Sequence, residues 1–437
     1  MRRPAALALL ALLVAAPAPA RAQSEPIRVV FDLHCDPIQN DLPLAKKQEV
    51  YQSWLDNLEW TLDETEPYGV QFGFGASGSF LEFVVDEGPD GRGAELLRRL
   101  YERGGMIGSH SHEEYRRGTH DWPDTSSSNS ERIWGDSLEW AERGIDTVFG
   151  GELPEALESI LDLKEHHFPL THAEGHALML AFDLGICPRG TQSFHGWYDH
   201  HVWSPLRCSS EGPLVEDLST PYVKIPAGGV IGISVSGVEP DAEPDALFRR
   251  QFLQLYLNRR ACERAGDDRV WVFNFAAHAH DLTPDSPTRR DLLAMAEWLA
   301  SGFGSGTAAW NSYRDVKGAF VEWETRHPGA SSFDHPSEGV DWDQYPYLPA
   351  VATELAGTRW RSDLAPGPGV LGCLLEDSDG RSVWVLWSTG RRPSVDLAAL
   401  TGAASVETVD LETGATRVRT AGRVVLGKAA ILVRAGG

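Results

Sequence analysis

From Ile27 to about Gly302, short apolar runs alternate with segments whose apolar residues recur every three or four positions. "IRVVFDL" reads as a strand, and "KKQEVYQSWLDNLEWTLDET" sets Val50, Trp54, Leu58 and Leu62 on one face of a helix. The rhythm continues through the strand "VQFGFGASG", the helix "GAELLRRLYERGG" and the strand "MIGSHSH". "SLEWAERGI" then reads as helix, "TVFGG" as strand, "PEALESILDLKEHH" as helix, "FPLTHAEG" as extended and "HALMLAFDLGI" as helix. "GGVIGISVSG", "DALFRRQFLQLYLNRRACERAG", "RVWVFNFAAHAHD" and "RRDLLAMAEWLASG" repeat strand, helix, strand and helix. Alternation of this kind indicates an α/β domain with a parallel sheet, open or closed into a barrel.

After a last helix in "WNSYRDVKGAFVEWETRHPG" the pattern changes. From about Gly369 the runs are short and β-rich, with turn text in "EDSDGRS" and "LETGAT", as in a small antiparallel β-sandwich. The expected organisation is therefore a leader at 1–22, an α/β barrel domain at 23–340 and an accessory β-sandwich at 341–437 without catalytic residues. The leader has Arg2 and Arg3, then the apolar run Ala5 to Ala16, then Ala20-Arg21-Ala22 as a small-x-small cleavage site. It reads as a secretory signal peptide, which places the mature protein outside the cytoplasm, secreted or periplasmic. No later run approaches the 18 or so apolar residues that span a bilayer, so no membrane insertion is expected.

Polar residues interrupt the strands at their carboxyl ends. In "VVFDLHCDPI", Asp32, His34 and Asp36 alternate, so a strand would carry all three on one face. Burying three ionisable groups is costly unless they bind something or do chemistry; the bland alternative is a strand that stops near Leu33. His34 with Asp36, His110 with His112, His172 with Glu174, and His278 with His280 each follow a predicted strand. That is where the active face of an α/β barrel lies. Against 63 acidic residues stand 39 basic ones, a formal charge of −24. This disfavours nucleic acid, whose phosphates need a cationic partner. The five cysteines are an odd number, so this is no disulfide scaffold; Cys187 and Cys208 pair best by spacing.

"GSHSHEEYRRGTH" is the strongest local signal for a metal. On a helical turn His110 and Glu114 would reach one cation; on an extended segment His110 and His112 would. Asp36 can add a carboxylate from a neighbouring strand, and such a donor set suits zinc or another first-row divalent ion. Trp197, Tyr198 and Trp203 surround His200 and His201 in an aromatic loop suited to stacking on sugar. Gly73, Gly75 and Gly78 spell GxGxxG, weak evidence for a phosphate loop without its acidic companion. Asp281 is placed to orient His278 or His280, or to cap the next helix.

"IGSHSHEE" resembles the second motif of the polysaccharide deacetylase (NodB-homology) superfamily, a His-Ser/Thr-x-x-His element after a strand. His110 and Ser111 match its first two positions, and Glu114 stands where the last His belongs. Asp36 resembles the metal-binding acid of the family's first motif, although no Asp-Asp pair is present. His278, or less well His280, resembles the late-motif histidine, and "THAEGH" occupies the place of the absent Arg-Pro-Pro motif. The resemblance covers roughly residues 27–300. It implies a distorted seven-stranded (β/α) barrel in which a divalent metal, zinc foremost, activates water for attack on an acyl group of a carbohydrate polymer or oligosaccharide. It implies Asp36, His110 and Glu114 or His112 as metal ligands, with His278 as general acid. His34, read as nearer the rim, is the expected base, since Asp32 lies about 13 Å from Asp36 along an extended strand. His172, Glu174, Trp197 and His280 are the expected substrate contacts. Two other readings fit the departures: a non-catalytic carbohydrate-binding or envelope protein on a decayed barrel, and a glycoside hydrolase using Asp36 and Glu174 as its carboxylate pair.

Overall fold

In a computed structural model the described residues are 25–111, 115–123, 130–150, 163–166, 184–186, 204–207, 217–219, 223–225, 229–231, 244–301, 307–331 and 349–436. The body is built on β1 (Ile27–Cys35), β2 (Phe72–Ser77), β3 (Met106–Ser111), β4 (Leu163–His166) and β5 (Leu184–Ile186). The short strands β6 (Leu206–Arg207), β7 (Val223–Ile225) and β8 (Gly229–Ile231) follow, then β9 (Val272–His278) and β10 (Ala308–Trp310). They form one sheet in the order β6-β7-β5-β4-β3-β2-β1-β9-β8, with β10 pairing the first residues of β1. Only β6 runs antiparallel to its neighbour. From β1 through β5 and β7, and from β8 through β9 back to β1, this is the cyclic strand order of a (β/α) barrel. Among the described residues no ladder joins β7 to β8. The described residues meet the expectation of a parallel α/β sheet, and closure into a barrel is not tested among them.

Strand β1, paired with β2, β9 and β10, is interior to the sheet and buried along both faces, as its run of β-branched and aromatic residues suits. Helix α1 (Leu44–Thr65) buries Tyr51, Trp54, Leu55, Leu58 and Leu62 in the core that β1 shares; of the predicted stripe Trp54, Leu58 and Leu62 are buried and Val50 is partly buried against it. Helices α2 (Gly78–Glu87), α3 (Arg92–Glu102) and α4 (Ser130–Phe149) complete one flank. Helices α5 (Pro244–Ala265), α6 (Pro287–Ser301) and α7 (Tyr313–Arg326) follow later in the chain.

Three local readings change. Thr147, Val148 and Phe149 are the last turn of α4, not a strand, because the helix runs on until Gly150 turns left-handed at φ 75°. "LKEH" and "LGI", placed at the ends of predicted helices, are the strands β4 and β5. Strands of three or four residues inside apolar runs carry too little periodicity to be separated from helix. For the same reason β10 has no counterpart in the sequence reading. Of the cysteines, Cys35, Cys262 and Cys373 are buried free thiols, and the Cys187–Cys208 pairing lies outside the described residues.

A separate antiparallel sheet follows the short helix α8 (Pro349–Leu355), so helices do not end with α7. Its strands are β11 (Arg359–Gly367), β12 (Val370–Glu376), β13 (Ser382–Ser388), β15 (Ser405–Asp410), β16 (Thr416–Thr420) and β18 (Ile431–Ala435). The order is β11-β12-β13-β18-β15-β16. A two-stranded ribbon of β14 (Ser394–Asp396) and β17 (Arg423–Val425), with the one-turn helix α9 (Leu397–Thr401), forms a second layer. On β13 the alternation is buried on both sides. Val383, Val385 and Trp387 join the core shared with the α/β body, while Trp384 and Leu386 join the core shared with Val395 and Leu397. Trp387 meets Tyr256 of α5 at 5.7 Å between ring centroids, and Trp360 meets Trp298 of α6 at 5.4 Å. Polar contacts seal the seam: Arg260 donates to the Ser388 carbonyl at 2.9 Å and the Trp298 indole donates to Asp363 at 3.0 Å.

Candidate functional site

The face of β1 that carries Asp32, His34 and Asp36 is intact, because the strand runs to Cys35 and does not stop at Leu33. Its neighbours bring the other side chains level with it. His34 is in register with His278 on β9 and with Gly75 on β2. Ser77 on β2 is in register with His110 on β3. The carboxyl ends of β1, β3 and β9 therefore deliver Asp36, His34, His110 and His278 to one place. The His34 ring lies 5.2 Å from that of His110 and 5.4 Å from that of His278.

Asp36 is the hub. Its Oδ1 is 3.1 Å from His110 Nε2, and its Oδ2 is 3.4 Å from His280 Nδ1 and 3.9 Å from His278 Nε2. Its backbone is held from β2 and the start of α2: Ser77 Oγ donates to the Asp36 carbonyl at 3.1 Å, and Ser79 Oγ accepts from the Ile38 amide at 2.9 Å. Two buried hydroxyls thus clamp the chain on both sides of Pro37. On its far side His278 Nδ1 meets Asp281 Oδ2 at 3.3 Å. Burial holds the His278 imidazole below its ordinary pKa, while Asp281 pulls it back up. The His278 hydrogen bond in turn holds the Asp281 carboxyl below the usual carboxylate range. Burial, aided by the Asp36 charge, pushes the Cys35 thiol well up and keeps it inert.

One layer deeper, His34 Nε2 meets Asp32 Oδ2 at 3.0 Å, with both side chains 2% exposed. His34 is thus buried below Asp36 rather than at the rim. Asp32, judged too far from Asp36 to act, is the immediate partner of His34. Gly73 makes the room: a Cβ there would sit 2.6 Å from Asp32 Oδ1 and 2.8 Å from the Tyr313 ring. A Cβ on Gly78 would lie 2.4 Å from the Trp122 ring. Two of the glycines that echo a phosphate loop are therefore packing glycines.

The loop after β3 is tied down by Glu82, a carboxylate buried on α2. Its Oε1 accepts two bonds from Arg116, and its Oε2 accepts from the His120 amide at 2.9 Å and the Trp122 indole at 2.6 Å. Among the sequence candidates, His34, Asp36, His110, His278 and His280 are brought together. His110 lies on a strand, so the helical His110–Glu114 spacing does not apply there. His112, Glu114, His172, Glu174 and Trp197 lie outside the described residues. Asp32, Gly73, Ser77 and Ser79 are the participants that sequence reading missed or set aside. The i, i+2 spacing of Asp32 and His34 was the signal for the first of them.

Asp36 and His110 supply an oxygen and a nitrogen of the kind a divalent cation takes. As they stand, Asp36 Oδ1 and His110 Nε2 are hydrogen-bonded at 3.1 Å, a separation that two ligands of one ion can also have. The arrangement also offers an imidazole with a carboxylate behind it, the form of a positioned acid or base.

No protein-family model and no curated protein matches the chain. Among solved structures it is similar to a candidate polysaccharide deacetylase from Mycobacterium smegmatis, with 11% identity over 72% of this chain and 96% of that one, TM-score 0.39. A candidate glycoside hydrolase/deacetylase from Parabacteroides distasonis has 9% identity over 85% of this chain and 87% of that one, TM-score 0.46. A GH27 β-L-arabinopyranosidase from Geobacillus stearothermophilus has 11% identity over 95% of this chain and 98% of that one, TM-score 0.27. None of the three reaches a TM-score of 0.5, so the functional reading has to stand on the residues of the site.

Proposed function

We propose that this chain is a hydrolase that removes acyl groups, acetyl foremost, from a carbohydrate polymer or oligosaccharide, with a divalent cation, zinc foremost, held by Asp36 and His110. The observation that carries the reading is the convergence of Asp36, His110 and the Asp281-backed His278 at the carboxyl ends of three parallel strands. When bound, the ion supplies Lewis-acid polarisation of an acyl oxygen and a lowered pKa for water. The chain's own residues do the rest. Ser77 and Ser79 fix the Asp36 backbone, so its carboxylate is aimed before substrate arrives. Asp281 fixes the His278 ring, which presents Nε2 toward Asp36 and delivers a proton to the leaving group. His34, held at Nε2 by Asp32, takes the proton that the attacking water releases. The net acidity of the chain suits a neutral or cationic substrate. With the leader at 1–22 cleaved near Ala22, the mature protein acts outside the cytoplasm, secreted or periplasmic.

The histidines around Asp36 suit this reading; the Asp36–Glu174 pair of the glycoside hydrolase reading cannot be compared with it, because Glu174 lies outside the described residues. The test is His278→Ala assayed on 4-nitrophenyl acetate and on a chitin oligomer. The expected loss in kcat is about 10²–10⁴-fold, with the ion at Asp36 and His110 retained and Tm within a few degrees of wild type. An active wild type whose kcat is unchanged by His278→Ala would end the assignment. Wild-type protein that binds the oligomer without hydrolysing it would make this a binding protein.

A further inference from the structure

The imidazoles of His278 and His280 are stacked, 4.9 Å between centroids and 15° from parallel. The stack has two edges. One edge, His278 Nε2 and His280 Nδ1, faces Asp36 Oδ2 at 3.9 and 3.4 Å. The opposite edge, His278 Nδ1 and His280 Nε2, faces the two oxygens of Asp281 at 3.3 and 3.5 Å. Two imidazole nitrogens and a carboxylate meet there, with one ligand atom from each within 4.8 Å of the others.

We propose that this outer edge is a second cation site, in which His278 Nδ1, His280 Nε2 and the Asp281 carboxylate hold a first-row divalent ion. It goes beyond the hydrolytic reading, which places a cation only at Asp36 and His110. Two nitrogens and one oxygen are the donor set of zinc-type ions. The side chains of His280 and Asp281 are 42% and 31% exposed, so coordination positions open to solvent remain. The three ligands fall within four residues, at the end of β9 and on the single 3₁₀ turn of residues 279–281.

That turn is held from outside. The buried Asn57 of α1 donates to the Ala279 carbonyl at 2.7 Å, and Arg289 donates to Asn57 Oδ1 at 3.0 Å and to the Leu282 carbonyl at 2.8 Å. Asp36 lies against the other edge of the stack, and because the rings are 15° from parallel, each has to tilt toward Asp281 for its in-plane lone pair to meet one ion. An ion on Nδ1 leaves a neutral His278 whose Nε2–H faces Asp36, able to hydrogen-bond a leaving group but a far weaker acid than the imidazolium, so occupation of the outer site weakens His278 as general acid. The ion replaces Asp281 as the group that fixes the tautomer.

The test is zinc content by mass spectrometry after equilibrium dialysis, together with zinc titration calorimetry, on the full chain and on His280→Ala, Asp281→Asn and His110→Ala. The expected result is two ions per wild-type chain. His280→Ala and Asp281→Asn should each lose one ion, and His110→Ala should lose the other. His280 is exposed and Asp281→Asn is isosteric, so circular dichroism should show both variants folded. Zinc content and affinity left unchanged by His280→Ala and Asp281→Asn overturn the outer site, as does a wild type that binds no zinc. A single ion lost in His280→Ala but kept in His110→Ala sustains the outer site and removes the cation from Asp36 and His110. The converse removes the outer site and leaves the hydrolytic reading standing.

Discussion

Strands β1 and β13 have the same period-2 alternation and opposite uses for it. On β1 one face carries Asp32, His34 and Asp36, and the facing positions on neighbouring strands are Gly73, Gly75, Ser77 and His110, small or functional. On β13 both faces are apolar, one set against the helices of the body and the other against the β14–β17 ribbon. Parallel strands present their carboxyl ends together, so a polar residue placed there meets polar residues from other strands. Antiparallel strands send their ends to opposite edges, and no such convergence arises. Charge divides the same way. The residues from 349 onward hold ten basic and nine acidic side chains, so the excess acidity of the chain belongs to the region before them.

The largest effect should come from the hub of the polar face. Asp36→Ala removes the carboxylate shared by His110, His278 and His280. Activity on an acyl ester should fall by roughly 10³-fold or more, as expected when a cation ligand is lost. Tm should change by only a few degrees, since that side chain contributes no apolar packing. A large loss of stability with activity retained would exchange the roles assigned to the two regions.

Next is Trp387→Ala on β13. The indole is fully buried against Tyr256, and its removal should cost about 3–5 kcal/mol in a urea titration. Below the transition, kcat should stay near wild type, since Trp387 sits on β13 against Tyr256 of α5, not at the strand ends that carry Asp36 and the histidines. Loss of activity without loss of stability would mean that the β-sheet region acts on the site.

Much of this contrast was legible in the sequence. Asp36, His34, His110 and His278 could be named because each follows an apolar run long enough to be read as a strand, and strand ends are shared geometry. The strands β4, β5 and β10 were not legible, because three or four residues cannot establish a period. The contact between Asp32 and His34 was only half legible: their i, i+2 spacing puts them on one face, but spacing does not say whether the two side chains turn toward each other. Gly73 was unreadable for another reason: what it accommodates, Asp32 and Tyr313, comes from segments 41 and 240 positions away. A clash that depends on a fold of that reach leaves no local trace.

Gly73→Ala tests that accommodation directly. The added methyl would press on Asp32 Oδ1 and the Tyr313 ring, both buried, so one must move. Overpacking of this kind costs about 1–3 kcal/mol. Because the displaced group is the partner of His34, kcat should fall while KM stays within about twofold, the pattern of a loss confined to the transition state. A stabilised, fully active Gly73→Ala variant would show that neither Asp32 nor its contact with His34 is needed.

The smallest effect belongs to β16, where alternation has no consequence. Residues Thr416 to Thr420 form the edge of the antiparallel sheet, and Val418 is 74% exposed. Val418→Ser should shift the unfolding free energy by less than about 0.5 kcal/mol. The same exchange at Val385, fully buried on β13, removes buried methyl groups and buries a hydroxyl, at about 2–4 kcal/mol. The two variants share their chemistry and differ in position, Val385 on an interior strand with both faces covered and Val418 on an edge strand facing solvent. A cost above about 1 kcal/mol at Val418, beyond the usual range for an exposed side chain, would mean that this edge is covered in solution, and analytical ultracentrifugation would then show whether a second copy covers it. Equal, small costs at both positions would instead show that the inner face of β13 is not the buried core described above.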